Sequence, residues 1–280
     1  MTDTSVSPAN DSVEAQRRAD RTARRQWGAV LLALLAVGIL ANSIGIGKWA
    51  SAPGRYWVWI LTMVCSAAAI MVIGKAISGY AGGLIIDNRN MMSLSKLQIL
   101  VWMIVILPAL ITGAASNIAG IGAEFAGGGP LDIVIPNELL AILGLSGATF
   151  AASPVILSTK SGSEAPSQTL ANTSAQLKLD DRTDANGKVF VKKQIADASW
   201  LDLFRGDEVG NANAPDLGKI QQFFITLLLA GIYIAAIGNT YGQIGTIDAL
   251  PPLSEKFVWL LAASQGTYLA YKAAPHTKDK

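Results

Sequence analysis

Apolar residues run along this chain in long blocks, and polar residues gather in the gaps between them. Six blocks are long enough to read as bilayer-crossing helices: about 28–47, 57–75, 97–115, 138–157, 220–238 and 256–274. A helix rising 1.5 Å per residue needs roughly 20 apolar residues to traverse about 30 Å of hydrocarbon. The pattern predicts an all-α polytopic membrane protein with six transmembrane helices. The gaps supply the remaining organisation. A polar, basic N-terminus at 1–27 leads to helices one and two at 28–75. A hairpin at 94–157 is followed by a cytoplasmic loop at 158–216, a second hairpin at 217–275 and a tail at 276–280.

The two hairpins look like a tandem duplication, with helices three and four matched to five and six. One opens L-S-K-L-Q at Leu94–Gln98 and the other L-G-K-I-Q at Leu217–Gln221. Each apolar helix then reaches a loop and a proline, Pro136 in one copy and Pro251 or Pro252 in the other. The second helices carry L-G-L-S-G-A-T-F-A-A at Leu143–Ala152 and L-A-A-S-Q-G-T-Y-L-A at Leu261–Ala270. An even number of helices per copy gives both copies the same orientation, with a pseudo-two-fold axis along the membrane normal.

The 158–216 loop divides in two. Residues 158–186 are rich in Ser, Thr, Asn and Gln and read as a linker, with 160–176 expected to be mobile. Asn186-Gly187 before Lys188–Lys193 reads as a hairpin turn leading into a strand. In the segment 198–211, Trp200, Leu203 and Phe204 form an apolar face on a short helix expected to dock on the bundle or bilayer, and are the candidate partner surface. Asp202, Arg205, Asp207 and Glu208 are expected to stay solvated. A calcium loop around Asp181–Asn186 fails on spacing, since Arg182 and Lys193 fall at ligand positions. The glycines of Ser78–Asn90 favour turns and lack the context of a phosphate-binding loop.

Charge orients the chain. Of 22 Lys and Arg, all but Lys48, Arg55 and Lys256 fall on one side if the N-terminus is cytoplasmic. The arginines at 17, 18, 21, 24 and 25 act mainly as that topology signal. Cleavage after Ala50-Ser51-Ala52 is the competing expectation, disfavoured by the long polar lead-in and by Pro53. The near-neutral net charge of +2 gives no reason to expect nucleic acid. One cysteine, Cys65, reads as a small core residue, and one histidine, His276, as a solvated tail residue. No metal site and no cofactor are expected.

The apolar blocks hold no Asp, Glu or Arg away from their ends, which argues against a proton-coupled transporter and against catalysis within the membrane. No catalytic residue is proposed. Two features remain as candidate sites. Ser146, Thr149 and Ser153, matched by Ser264, Thr267 and Tyr271, form hydroxyl stripes that pack helices or line a narrow path. Beside them, the small residues Gly144, Ala148 and Ala152, and Ala262, Gly266 and Ala270, suggest close helix contact. Lys96 with Gln98, and Lys219 with Gln221, start helices three and five as interfacial anchors or as headgroup or anion contacts.

The segments Asp87–Gln98, Trp200–Asn211, Asp216–Gln221 and Ser264–Pro275 resemble a family of uncharacterised bacterial inner-membrane proteins. The resemblance covers roughly residues 75–275. It implies a multi-pass protein of the bacterial inner membrane and no chemistry. The sequence thus leads to a non-enzymatic membrane module in the lipid bilayer. It is expected to form a homo-oligomer or to bind a protein partner through its cytoplasmic loop. The alternative is a channel or uncoupled small-solute pathway lined by the Ser/Thr stripes.

Overall fold

The computed structural model describes residues 26–43, 52–119, 129–243 and 245–277. The basic segment 17–25 and the Ala50-Ser51 pair lie outside these residues. The described chain is mostly helical: α1 (Gln26–Ser43), α2 (Ala52–Ser78), α3 (Leu94–Ile118), α4 (Asn137–Lys160), α5 (Ser167–Gln176), α6 (Leu217–Tyr241) and α7 (Glu255–Ala273). Five of these, α1, α2, α3, α4 and α6, are long and apolar enough to cross a membrane. The sixth expected crossing falls on α7. It is a helix of 19 residues, about 28 Å long, but Ser264, Gln265, Thr267, Tyr271 and Lys272 dilute its apolar character.

Helix starts follow local chemistry. Asp216 accepts the Lys219 N–H at 3.0 Å and caps α6, and Ser254 accepts the Lys256 N–H to cap α7. Pro136 fixes the extended entry to α4. The bundle core is aromatic at its centre. Trp102 lies edge-on to Tyr233 at 6.4 Å and Trp59 to Tyr241 at 5.7 Å, packed with Leu139, Ile142, Leu229 and Leu261. Trp57 is exposed, whereas Trp59 is wholly buried.

At one end of the bundle, Arg55 is buried and donates to the carbonyls of Tyr241, Gln243 and Gly245, covering the C-terminus of α6. The loops joining α3 to α4 and α6 to α7 meet there. The Val134 N–H donates to Asp248 O at 2.9 Å and the Leu250 N–H to Val134 O at 3.0 Å. The last described residues before α4 are therefore paired to the second hairpin.

At the other end, the chain between α4 and α6 is folded where a linker was expected. Helix α5 occupies much of the Ser/Thr-rich stretch, and β1 (Thr183–Asn186) pairs antiparallel with β2 (Val189–Lys192). Gly187 makes the two-residue turn at φ +59°. Phe190, Met91, Val209 and Ala212 form a small second core with Leu170 and Leu177 of the α5 region. A short 3-10 turn, Trp200–Leu203, replaces the helix expected at Ala198–Phe204.

The docking expectation holds for part of this turn. Leu203 is fully buried against Ile86, Met92 and Leu94, and Phe204 meets the Phe223 ring edge-on at 4.9 Å. Trp200 points outward instead, 57% exposed. The small-residue stripes also differ from expectation. Gly144, Ala148, Gly266 and Ala270 are exposed, and a Cβ built at Gly144 or Gly266 meets nothing within 4 Å. The helices close through Ser146, Thr149, Ser264 and Gln265 on the other face. Some positions matched in the two hairpins share an environment and others do not: Ser146 and Ser264 are both buried, but Thr149 is buried and Thr267 exposed, and Phe150 is exposed where Tyr268 is buried.

Two substitutions separate these faces. Leu203→Ala is expected to cost about 2–5 kcal/mol by leaving a cavity. Gly266→Leu is expected to change single-chain stability by less than about 1 kcal/mol. Thermal melting of both variants in detergent checks the pair, and a severe loss in Gly266→Leu would return the small stripe to the interior.

Candidate functional site

Charged residues from five separated segments meet where the folded region between α4 and α6, here the cap, sits on the bundle. Asp207 is at the centre. Its Oδ1 lies 2.9 Å from Arg89 Nη2 and 2.9 Å from Lys219 Nζ, and its Oδ2 lies 2.8 Å from Lys272 Nζ. Those cations come from the α2–α3 loop, the first turn of α6 and the last turn of α7. One carboxylate thus ties three parts of the bundle to the cap, and Asp207 is only 4% exposed.

Further pairs surround this hub. Asp202 Oδ1 takes Lys192 Nζ at 2.6 Å, and Asp202 Oδ2 accepts the Ser199 N–H, closing a capping box on the 3-10 turn. Glu208 takes Lys160 Nζ from the end of α4 at 2.5 Å and accepts the His276 and Thr277 N–H groups at 3.0 and 2.8 Å. Lys160 also donates to the Lys272 and Ala274 carbonyls. Arg89 is shared between Asp87 and Asp207. Asp87, Asp202, Asp207, Glu208 and Asp216 thus balance Arg89, Lys160, Lys192, Lys219 and Lys272, which lets the group leave water at tolerable cost. Gly210 permits the tail to approach, since a Cβ there would lie 2.4 Å from His276 O.

The electrostatics follow from burial and partners. Burial alone would push the Asp207 carboxyl up, but Lys219, Lys272 and Arg89 outweigh it and hold the group well below the usual carboxylate range. Glu208 is likewise lowered: burial opposes it, and Lys160 with the tail amides prevails. Asp216 goes the other way and is raised by burial.

These findings correct the sequence reading at several residues. Asp202, Asp207 and Glu208 are buried rather than solvated, and Arg205 is half-buried. Lys219 is buried and committed to Asp207, so it is neither an interfacial anchor nor open to an outside anion. Gln221 is exposed, and its neighbour Gln222 faces the core. Gln98 is buried without a protein partner. Lys96 remains half-exposed, its Nζ donating to Ile86 O at 2.8 Å. His276 is half-buried, its ring tilted against Tyr271 at 4.4 Å. Cys65 is a buried free thiol, as expected.

The hydroxyl stripes lead into the cluster. Ser153 Oγ lies 3.4 Å from the Tyr268 hydroxyl, which accepts from Lys272 Nζ at 3.1 Å. Thr149 donates to Gln265 Oε1 at 2.8 Å and Ser264 to Gln222 Oε1 at 2.6 Å. The inward polar face of α7 is therefore Ser264, Gln265, Tyr268 and Lys272. Thr267 and Tyr271 face outward, and Thr267 bonds its own helix at Ala263. Gln222, Gln265 and Tyr268 were missed because each stands beside a polar residue that drew the reading instead, Gln221 next to Gln222, and Ser264 and Thr267 next to Gln265 and Tyr268. Gln222 and Gln265 carry the one signal available, a side-chain amide inside an apolar run. Among the described residues, no three of His, Cys, Asp or Glu come together as a metal-binding group.

No protein-family model, curated protein or solved structure matches this chain.

Removing Asp207's charge leaves three buried cations facing one another. Asp207→Asn is expected to destabilise the protein by about 3–5 kcal/mol. A lowered carboxyl stabilises the fold above the ordinary carboxylate pKa of about 4, and that stability is lost as pH falls through the lower folded value. Asp216, raised by burial, opposes this by favouring the folded state at low pH. Melting temperature should therefore fall steeply below pH 4 in the parent protein and less steeply in Asp207→Asn; parallel acid profiles would contradict the assignment.

Proposed function

We propose that the chain is a non-enzymatic module of the bacterial inner membrane that crosses six times, with both termini cytoplasmic, and presents its folded cap to a protein partner or to a second copy of itself. The observation that carries this reading is the 3-10 turn at Trp200–Leu203. Its underside is fixed by Leu203, Asp202 and Lys192, while Trp200 and Leu201 stand outward, 57% and 52% exposed. A large aromatic and a leucine on a pre-ordered turn suit the centre of a binding surface, because little conformational freedom is lost on contact.

The orientation is supported by charge. Lys96, Lys160, Lys219 and Lys272 lie at helix ends on the cap side, whereas Arg55 at the opposite end is buried as a helix cap. With α7 as the sixth crossing, the two hairpins pair Val134 with Ala249, each two residues before Pro136 or Pro251, which favours an internal repeat. The non-enzymatic reading rests on the mutual pairing of the cluster, whose carboxylates and ammonium groups already hold one another.

A second reading, the uncoupled solute path, has its own observation. Gln98, Ser146, Gln222 and Gln265 bury polar atoms without protein partners along the α3–α4–α6–α7 seam. Leu139, Ile142, Leu229 and Leu261 are all fully buried in the same bundle core, which favours packing over conduction.

The joint substitution Trp200→Ser and Leu201→Ser tests the first reading. It should weaken self-association or partner capture by roughly 30-fold or more, read by single-molecule mass measurement in nanodiscs, with thermal melting unchanged. Unaltered association, together with quenching of Trp200 fluorescence by brominated lipid, would assign the pair to the bilayer instead.

A further inference from the structure

A cavity of about 330 Å³ opens between the first turn of α3 and the last turns of α4, separate from Trp200 and Leu201. Its two sides have opposite chemistry. Ser93, Ser95 and Lys96 line it from the start of α3, and Phe150, Pro154 and Leu157 line it from α4. Along α4 the wall runs from Phe150 past Ser153, Pro154 and Leu157 to Ser158 and Ser161, mainly apolar at first and hydroxylic at its end, over about 16 Å. Lipid at a bilayer boundary changes character in the same direction over a similar depth. Phe150, in the cavity wall, is also exposed, offering apolar surface to a chain that leaves it.

The polar side favours an anion. Ser93 is the N-cap of α3, but its side chain does not cap the helix and meets Ser95 Oγ at 3.1 Å. The start of this 25-residue helix, its positive end, therefore lies beside the cavity without a side-chain cap. Lys96 adds a full charge. Its ammonium spends one proton on Ile86 O, and among the described residues no carboxylate lies within ion-pair distance of it. Asp87 also lines the cavity, but both its oxygens are engaged by Arg89, Oδ1 by the backbone N–H at 2.9 Å and Oδ2 by Nε at 2.8 Å. Lys219, at the matching position of α6, is sealed inside by Asp207, so Lys96 alone of the two faces outward.

We propose that this cavity binds the phosphate and glycerol portion of one anionic phospholipid, with Lys96 and the start of α3 holding the phosphate and Phe150 and Leu157 flanking the first part of an acyl chain. The volume suits a headgroup and glycerol but not a whole lipid, so the acyl chains continue along the outside of α4. Phosphate chemistry alone would also admit a soluble anion; the apolar wall favours the lipid. The proposal needs only that the helices lie in a bilayer and is independent of the partner surface.

Native mass spectrometry of the purified full-length protein in an uncharged detergent tests it, titrating dioleoylphosphatidylglycerol, dioleoylphosphatidylcholine and inorganic phosphate separately. One phosphatidylglycerol should bind at least tenfold more tightly than phosphatidylcholine. Lys96→Gln should weaken phosphatidylglycerol at least fivefold and leave phosphatidylcholine unchanged. Ser158→Glu, at an exposed position on the cavity wall, should weaken it likewise by repulsion without altering melting, and carries the test alone if Lys96→Gln does not fold. Equal affinity for the two lipids, or parental binding by the folded variants, would overturn the proposal. Inorganic phosphate competing at an affinity comparable to phosphatidylglycerol would assign the cavity to a soluble anion and overturn the lipid assignment.

Discussion

A single buried carboxylate facing three cations governs how the two parts of this protein fit together. Asp207 leaves water only because Arg89, Lys219 and Lys272 surround it, and without it Lys219 and Lys272 would lose their carboxylate partner, while Arg89 would keep only Asp87. An apolar isostere could replace the whole group at little cost, but removal of one member is severe. The cluster therefore acts less as a source of net stability than as a selector of one geometry. The α2–α3 loop, the start of α6 and the end of α7 must all reach Asp207 together.

The bundle and the cap depend on one another through this arrangement. Leu203 and Phe204 fill an apolar notch formed by Ile86, Met92, Leu94 and Phe223, and the ion pairs lie directly beside it. Glu208 extends the tie to α4 through Lys160 and to the C-terminal tail through His276 and Thr277. The polar residues Tyr268, Ser153, Thr149 and Gln265 continue inward from the cluster, so α4 and α7 close on hydrogen bonds rather than on their small residues. The small stripes, Trp200 and the Lys96 cavity are the features that remain on the outside.

The fold was partly legible in the sequence because apolar run length is a local signal. Each long apolar block became a helix, and Asn186-Gly187 marked the hairpin. What local pattern could not reveal was which side of each helix faces inward. Gly266 and Ser264 are both plausible contact residues on α7, and only the positions of α4 and α6 decide between them. The cluster was illegible for a related reason. Asp207 and Glu208 in a glycine-flanked turn look solvated, and their cations lie at sequence separations from 12 to 118 residues. The Ser/Thr-rich stretch looked like a linker because α5 buries few large side chains, chiefly Leu170, and gains the rest of its support from the hairpin and from Val209.

The central claim is that the cap and the bundle are one folded unit joined at Asp207. Hydrogen exchange of the full-length protein in nanodiscs tests it most directly. Amides from Leu203 to Val209 and along β2 should be protected to a degree comparable with the first turns of α3 and α6. In Asp207→Asn those same amides, with the last turn of α7, should lose protection together while the centres of α3 and α6 keep theirs. Rapid exchange of Leu203–Val209 in the parent protein, or unchanged protection in the variant, would contradict the account.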